Sequence, residues 1–337
     1  MLKDIIKKVV DFKNLERDEA SRALNAIMTG GATPSQIACL ITALRMKGET
    51  IDEISGFARE MRRHATSIKP KQEHLVDTCG TGGDISHTFN ISTVSALVAA
   101  GAGVPVAKHG NRSVSSKCGS ADLLEALGVK IDIEPKKVEA CINEIGIGFL
   151  YAPLFHEAMK FVMPPRKEIG IRTIFNILGP LTNPASAKRQ LLGVFDPELT
   201  EVLAGVLRIL GVEHALVVHG ADGLDEISIS AQTRVTELKG MDITTYKMTP
   251  EEYGLTRGEK SVLVCRDVGV NRDMAMDVLK GKIKTEPCQI TLFNAGAVIY
   301  VSGLAKEMKE GIELAKQSID SGAAYKKLED LIKFTNK

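Results

Sequence analysis

From residue 74 onward, short apolar runs alternate with helical periods, and this alternation limits the folds open to the chain more than any other feature. The runs at 74–79, 104–107, 191–195, 215–219, 226–230 and 262–264 read as strands. Helical spacing occupies 92–102, 120–127, 197–210, 286–301 and 304 to the end. Strands separated by helices need crossover connections, so the expected fold class is α/β with a central, largely parallel, buried sheet. The first 70 residues contain nothing strand-like. Leu2, Ile5, Ile6, Val9 and Val10 recur at three-to-four spacing, and a second helix over 16–28 stops at Gly30-Gly31. Thr33-Pro34 pairs an N-cap with proline at the first helical position and opens a third helix that runs to Gly48. Thr50-Ile51-Asp52-Glu53 is a capping box that starts a fourth, ending near Ala65. Lys69-Pro70-Lys71-Gln72 reads as a linker. The expected organisation is a small helical domain, 1–69, and a larger α/β domain, 70–337.

Charge and cysteine usage narrow the function class. The 337 residues hold 43 Lys+Arg against 42 Asp+Glu, a net charge of +1, which gives no electrostatic reason to expect nucleic acid or a membrane surface as partner. Lys3, Asp4, Lys7 and Lys8 interrupt the N-terminus, which lacks the apolar core of a signal peptide. The six cysteines are dispersed with no C-x-x-C pair and read as reduced thiols, so a cytoplasmic location is expected.

Four segments carry chemistry. Asp77-Thr78-Cys79-Gly80-Thr81-Gly82-Gly83-Asp84 follows an expected strand and precedes Asn90-Ile91-Ser92-Thr93, which opens a helix. Glycines let main chain approach a ligand, successive N–H groups form an anion nest, and a helix N-terminus adds donors. A tight structural turn with Asn90 or Ser92 as a plain cap is the bland alternative. The second segment, 108–117, carries Lys108, Arg112 and Lys117 and no acid, and Gly119-Ser120 follows, with Ser120 able to cap the next helix. Its cations and hydroxyls suit a polyanion at a strand end; solvated surface is the alternative. The third, 156–184, holds Arg166, Lys167 and Arg172, punctuated by Pro164-Pro165 and Gly179-Pro180. The fourth, 220–226, ends in Asp225-Glu226, an oxygen-donor pair suited to Mg²⁺ or simply a polar turn.

In this order the four segments resemble the anthranilate phosphoribosyltransferase family across essentially the whole chain. The resemblance implies a nucleoside phosphorylase-like fold, with the active site in the cleft between a helical and an α/β domain, and a homodimer joined through the helical domains. Helices within about 156–185 would pack on the first domain. It also implies transfer of phosphoribosyl from phosphoribosyl pyrophosphate to the amine of anthranilate, in tryptophan biosynthesis. The donor would lie against Gly80, Thr81, Gly82, Gly83, Asp84, Thr88, Asn90, Ser92, Thr93, Lys108, Asn111, Ser116, Gly119 and Ser120. Gly80, His109, Asn111, Tyr151, His156, Arg166 and Pro180 would surround anthranilate. Ser92, Asp225 and Glu226 would bind Mg²⁺. A cysteine stands at 118 where the family block leads one to expect serine.

An arylamine is already a neutral nucleophile, so no strong base is needed, and His109 is the candidate proton acceptor. Arg166 suits the carboxylate of anthranilate, which it can pair in two parallel hydrogen bonds. Two rivals share the fold: a pyrimidine nucleoside phosphorylase, and a non-catalytic or nucleic-acid-binding relative, which would have a basic surface and eroded motifs.

Overall fold

The computed structural model describes residues 1–83, 87–113, 118–265 and 267–337. Four helices come first: α1 (Leu2–Val10), α2 (Arg17–Met28), α3 (Pro34–Lys47) and α4 (Ile51–His64). The Thr33 and Thr50 hydroxyls accept the N–H groups of Gln36 and Glu53, as the capping boxes require. Glu53 does more than cap. Its fully buried carboxylate accepts the N–H of Leu15 at 2.9 Å and pairs with the buried Lys47 ammonium at 2.9 Å. That single group ties the α1–α2 connection to the α3–α4 turn.

The second part begins with β1 (Val76–Gly80), α5 (Ile91–Gly101), β2 (Val106–Gly110), α6 (Ser120–Ala126), α7 (Pro135–Ile145) and β3 (Ile147–Tyr151). Three short helices follow, α8 (Ala152–Phe155), α9 (Met163–Ile169) and α10 (Phe175–Leu178), then β4 (Arg189–Gly193), α11 (Leu199–Ile209) and β5 (His214–Gly220). A hairpin, β6 (Thr233–Lys239) and β7 (Asp242–Met248), precedes α12 (Val268–Leu279), α13 (Glu286–Ser302), α14 (Met308–Asp320) and α15 (Ala323–Thr335).

The sheet has seven strands in the order β3-β2-β1-β4-β5-β6-β7, parallel through β5 and antiparallel for the last two. Alternation along the strands divides the core. Leu191, Leu216 and Val218 face the layer of α5 and α13, while Leu192, Ala215 and Val217 face the side of α11 and the N-terminal helices. Val162, Ile174, Phe175, Ile177, Leu178 and Leu181 pack in the latter cluster beside Leu24, Leu40 and Phe57. The expected packing of residues from 156–185 against the first helices is therefore present. Among the described residues no helix is long and apolar enough to cross a membrane.

Several sequence expectations need correction. Residues 226–230 form no strand: Asn294 and the Thr233 hydroxyl take up the main-chain N–H groups of Ile227 and Ser228 that a ladder would have used. Residues 260–263 coil into a 3₁₀ turn, and Val264 makes only an isolated bridge to Thr88. The final helical period is two helices, broken at Gly322, whose φ of +78° is left-handed. Strand β3, the β6–β7 hairpin and helices α7 and α12 were not anticipated.

Removing one partner of a buried ion pair costs about 3–5 kcal/mol, because the other charge stays buried. Glu53→Ala should therefore lower the denaturation midpoint strongly, and Glu53→Ala with Lys47→Met should recover part of it. Unchanged unfolding curves would contradict this account.

Candidate active site

The strand order reverses between β1 and β4, the point at which open α/β sheets bind ligands in a crevice outside the carboxyl ends of the strands. Here β1, β2, β4 and β5 all end on glycine: Gly80, Gly110, Gly193 and Gly220. The reason is close approach. A Cβ on Gly193 would overlap the carbonyl of Asp225, and one on Gly80 would overlap the Asp225 carboxylate. The turn after β5 thus lies directly on the ends of β1 and β4. Beyond Gly80 the main chain turns left-handed at Gly82 and Gly83, with φ of +68° and +77°.

The carboxylates of that turn reach across the crevice. Asp225 accepts the Gly82 N–H at 2.8 Å, and Glu226 accepts the N–H of Ser92, in the first turn of α5, at 3.1 Å. The expectation of open donors at this helix start is corrected by the same geometry. Ile91 N–H bonds Phe89, and the N–H groups of Thr93 and Val94 both bond the Asn90 carbonyl. Ser92 is the exchangeable position, since its acceptor is a side chain.

Lys108 sits beneath the glycine loop and is almost fully buried. Its ammonium donates to the Thr78 carbonyl at 2.6 Å and to the Ser92 hydroxyl at 3.3 Å. Burial pushes its pKa below the ordinary lysine value, while the carboxylates of Asp77 and Glu226 pull it back. Asp77 is itself completely buried, accepts the His109 N–H at 3.1 Å, and has its carboxyl pKa raised by that burial. Arg112 is not available to a polyanion, being held by Asp122 at 2.8 Å and Glu125 at 2.9 Å.

The other residues expected on the donor side have these surroundings. Thr81 accepts the Phe195 N–H through its hydroxyl, and Thr88 bridges to Val264. Asn111 is exposed and receives the Ser120 hydroxyl on its carbonyl at 3.3 Å. Ser120 does not cap α6: Gly119 is the N-cap, and its N–H bonds the Asp122 carboxylate that reaches back to it. The N–H of Thr93 is taken by the Asn90 carbonyl, and its buried hydroxyl has no partner among the described residues. Asp84 and Ser116 lie outside the described residues, as does Lys117.

A second wall carries the other set. His109 Nδ1 donates to the Gly179 carbonyl at 3.2 Å, leaving buried Nε2 unpartnered among the described residues. Its ring lies 5.1 Å from that of His156. Burial lowers the two pKa values to about 3 and about 4, so both rings are neutral. Pro180 is buried next to Gly179, and Tyr151 pairs in register with Gly110. Arg166 is half-buried, with its guanidinium 5.5 Å from the centre of the Phe175 ring, and no carboxylate faces it among the described residues. Burial lowers its pKa too.

The residue sequence reasoning left out of this site is Arg172. Its guanidinium stacks 4.3 Å from the centre of the Phe195 ring and donates to the Gly83 carbonyl, joining the 156–184 block to the glycine loop. Its place in a basic, glycine- and proline-punctuated block was the available signal.

Both histidines titrate lower when folded than their ordinary 6.5, so the unfolded chain binds protons that the folded one refuses. Stability should fall as pH drops below about 6.5, by ~1.4 kcal/mol per histidine for each unit until the folded value is reached. Denaturation midpoints at pH 7 and pH 5 test this, and His156→Asn should flatten the dependence. An equally steep fall in that variant would show that other groups control it.

Residues 3–65 match the helical bundle domain of the glycosyl transferase family, and residues 72–325 match its a/b domain. The anthranilate phosphoribosyltransferase of Acetivibrio thermocellus is 52% identical over 336 residues, covering 100% of this chain and 97% of that protein. The enzyme of the same name from Desulfosudis oleivorans is 52% identical and covers 99% of both. The crystal structure of anthranilate phosphoribosyltransferase from Thermus thermophilus superposes with a TM-score of 0.95 at 43% identity, over 99% of this chain and 100% of that one. The Saccharomyces cerevisiae enzyme in complex with phosphoribosyl pyrophosphate and Mg superposes with a TM-score of 0.90 at 30% identity, over 99% and 98%. The chain belongs to the glycosyl transferase family that joins a helical bundle to an a/b domain, and within it to the anthranilate phosphoribosyltransferases.

Proposed function

We propose that this protein transfers the phosphoribosyl group of 5-phosphoribosyl 1-pyrophosphate to the amine of anthranilate, giving N-(5-phosphoribosyl)anthranilate and pyrophosphate, a step of tryptophan biosynthesis. The observation that carries the reading is the convergence of Gly80–Gly83, Ser92, Lys108 and Asp225-Glu226 on one crevice. The full-length relationship to enzymes of that name supports it.

The donor side is an anion site whose N–H groups are held by the protein's own carboxylates. An incoming phosphate takes over the N–H groups of Gly82 and Ser92 as Asp225 and Glu226 release them. Those carboxylates and the Ser92 hydroxyl are hard oxygen donors, the ligand type Mg²⁺ selects, and Mg²⁺ takes few protein ligands where a substrate phosphate completes the shell. Asp225, Glu226 and the Ser92 hydroxyl would hold the ion, which would supply charge neutralisation for the pyrophosphate leaving group. Lys108, short of full compensation in its buried position, gains from the same negative charge.

On the acceptor side, Arg166 pairs the anthranilate carboxylate, which restores the charge partner its half-buried guanidinium lacks. Asn111, His109, Tyr151, His156 and Pro180 complete that wall. His109 keeps Nδ1–H on Gly179, so Nε2 is the acceptor of the amine proton. A base with a pKa of about 3 suffices, since the amine becomes strongly acidic as its new bond forms.

The six free cysteines support a reducing, cytoplasmic setting. Exposed Val10, Phe12, Met46 and Met163, at 51%, 65%, 71% and 46%, support a homodimer joined through the helical domain.

Anthranilate fluorescence should fall when enzyme, phosphoribosyl pyrophosphate and Mg²⁺ are combined and stay constant when any one is omitted. Folded protein giving no Mg²⁺-dependent loss would refute the assignment. Arg166→Ala should raise the anthranilate KM by ~10-fold or more, the worth of a charge-assisted pair, with Arg166→Lys recovering little. An unchanged KM would remove Arg166 from the acceptor site.

A further inference from the structure

Two asparagines on the C-terminal helices, far along the chain from every motif above, are bonded to the segments that build the donor side. Asn271, on α12, is 1% exposed, and Asn294, on α13, is fully buried. Each uses both ends of its amide. Asn271 Oδ1 accepts the Asn90 main-chain N–H at 3.2 Å, and its Nδ2 donates to Asn90 Oδ1 at 2.9 Å. Asn90 in turn donates from Nδ2 to the Cys118 carbonyl at 3.3 Å, and the Cys118 thiol donates to Asn90 Oδ1. One network therefore joins the start of α5 to the approach to α6, the two phosphate-side loops.

Asn294 Oδ1 accepts the Ile227 N–H at 3.0 Å, and its Nδ2 donates to the Ile227 and Ile290 carbonyls, both at 2.9 Å. Ile227 is buried and directly follows Glu226, in a stretch with no strand neighbour. Asn294 takes the place of the missing ladder partner. It thereby sets the main chain from which the carboxylates of Asp225 and Glu226 extend.

We propose that Asn271 and Asn294 are positioning residues for the donor site: Asn271 holds Asn90 and the two phosphate-side loops in register, and Asn294 holds the Asp225-Glu226 pair over the strand ends. The proposal rests on the reading that phosphoribosyl pyrophosphate binds here with Mg²⁺. Both side chains are buried against protein groups, so each acts through the segment it clamps.

Ser318 is the control for plain structural loss. It lies buried on α14, in the same helical layer, and donates to the Val98 carbonyl of α5 at 2.8 Å, away from the helix start. Calorimetric titration with phosphoribosyl pyrophosphate plus Mg²⁺, steady-state KM for both substrates, and Tm should be measured for Asn271→Ala, Asn294→Ala and Ser318→Ala. Each asparagine variant should weaken phosphoribosyl pyrophosphate binding by ~10-fold or more, the equivalent of one lost buried hydrogen bond, with the anthranilate KM within about twofold. Asn294→Ala should also raise the Mg²⁺ concentration needed for half-maximal binding. Ser318→Ala should lower Tm and leave both substrates alone. If an alanine variant does not fold, the serine variant at that position, which keeps one hydrogen-bonding group, takes its place with the same expectations.

Folded variants with unchanged phosphoribosyl pyrophosphate affinity would overturn the proposal, as would both KM values rising together or Ser318→Ala reproducing the effect. Wild-type protein that binds phosphoribosyl pyrophosphate but leaves anthranilate unconsumed would sink only the acceptor assignment, and the titrations would still read the clamps. Wild-type protein that binds none would sink both.

Discussion

The turn bearing Asp225 and Glu226 lies against the glycine ends of β1 and β4 with no space for a single added carbon, and the crevice is organised around that contact. It brings two carboxylates within hydrogen-bonding reach of the glycine loop and the first turn of α5, both of which are otherwise donors to anions. The arrangement keeps these main-chain N–H groups satisfied by the protein's own side chains. Under the proposed function, the same carboxylates would stand where a cation and a phosphate meet.

Burial disfavours the charged form throughout this crevice, raising the pKa of Asp77 and lowering those of the basic groups. The pKa values of Lys108, His109, His156 and Arg166 are all lowered, each with desolvation as the largest cause. Lys108 and Arg166 therefore stand in surroundings that an anion improves. The histidines respond differently: buried as Lys108 is, but with no carboxylate raising their pKa, they stay neutral, which suits a proton acceptor and not an anion clamp.

The fold was legible wherever local pattern and tertiary outcome agree. The capping boxes at Thr33 and Thr50 and the proline at the third helix start are local signals, and the helices begin where these residues dictate. The glycine loop, Lys108 and the acidic turn were found by residue type alone. What escaped had no local signature or an ambiguous one. Residues 226–230 alternate polar and apolar like a strand, yet main-chain N–H groups there are taken up by the side chains of Asn294, from a distant helix, and Thr233, at the start of β6. Glycine within β3 obscured that strand, and the hairpin turn Gly240-Met241 was passed over. Thr93 shares its spacing with Ser92, but one helical step turns its hydroxyl from the crevice into the core. Asn271 looks like any polar residue in an amphipathic helix; only the structure shows it is buried.

The two walls of the crevice differ in where they come from along the chain. Under the proposed function, the donor wall would draw on loops between residues 80 and 120 and the turn at 220–226, whereas four of the seven acceptor-side residues fall within 151–180. Beyond the main-chain ladder at Tyr151, side-chain contacts such as Arg172 with Gly83 and Gln190 with Pro180 tie that stretch to the rest. Under the proposed function, exchanging that block would replace four acceptor-side residues at once while His109 and Asn111 stay on the strand end that also serves the sugar, so the choice of amine and the grip on the donor are only partly separable.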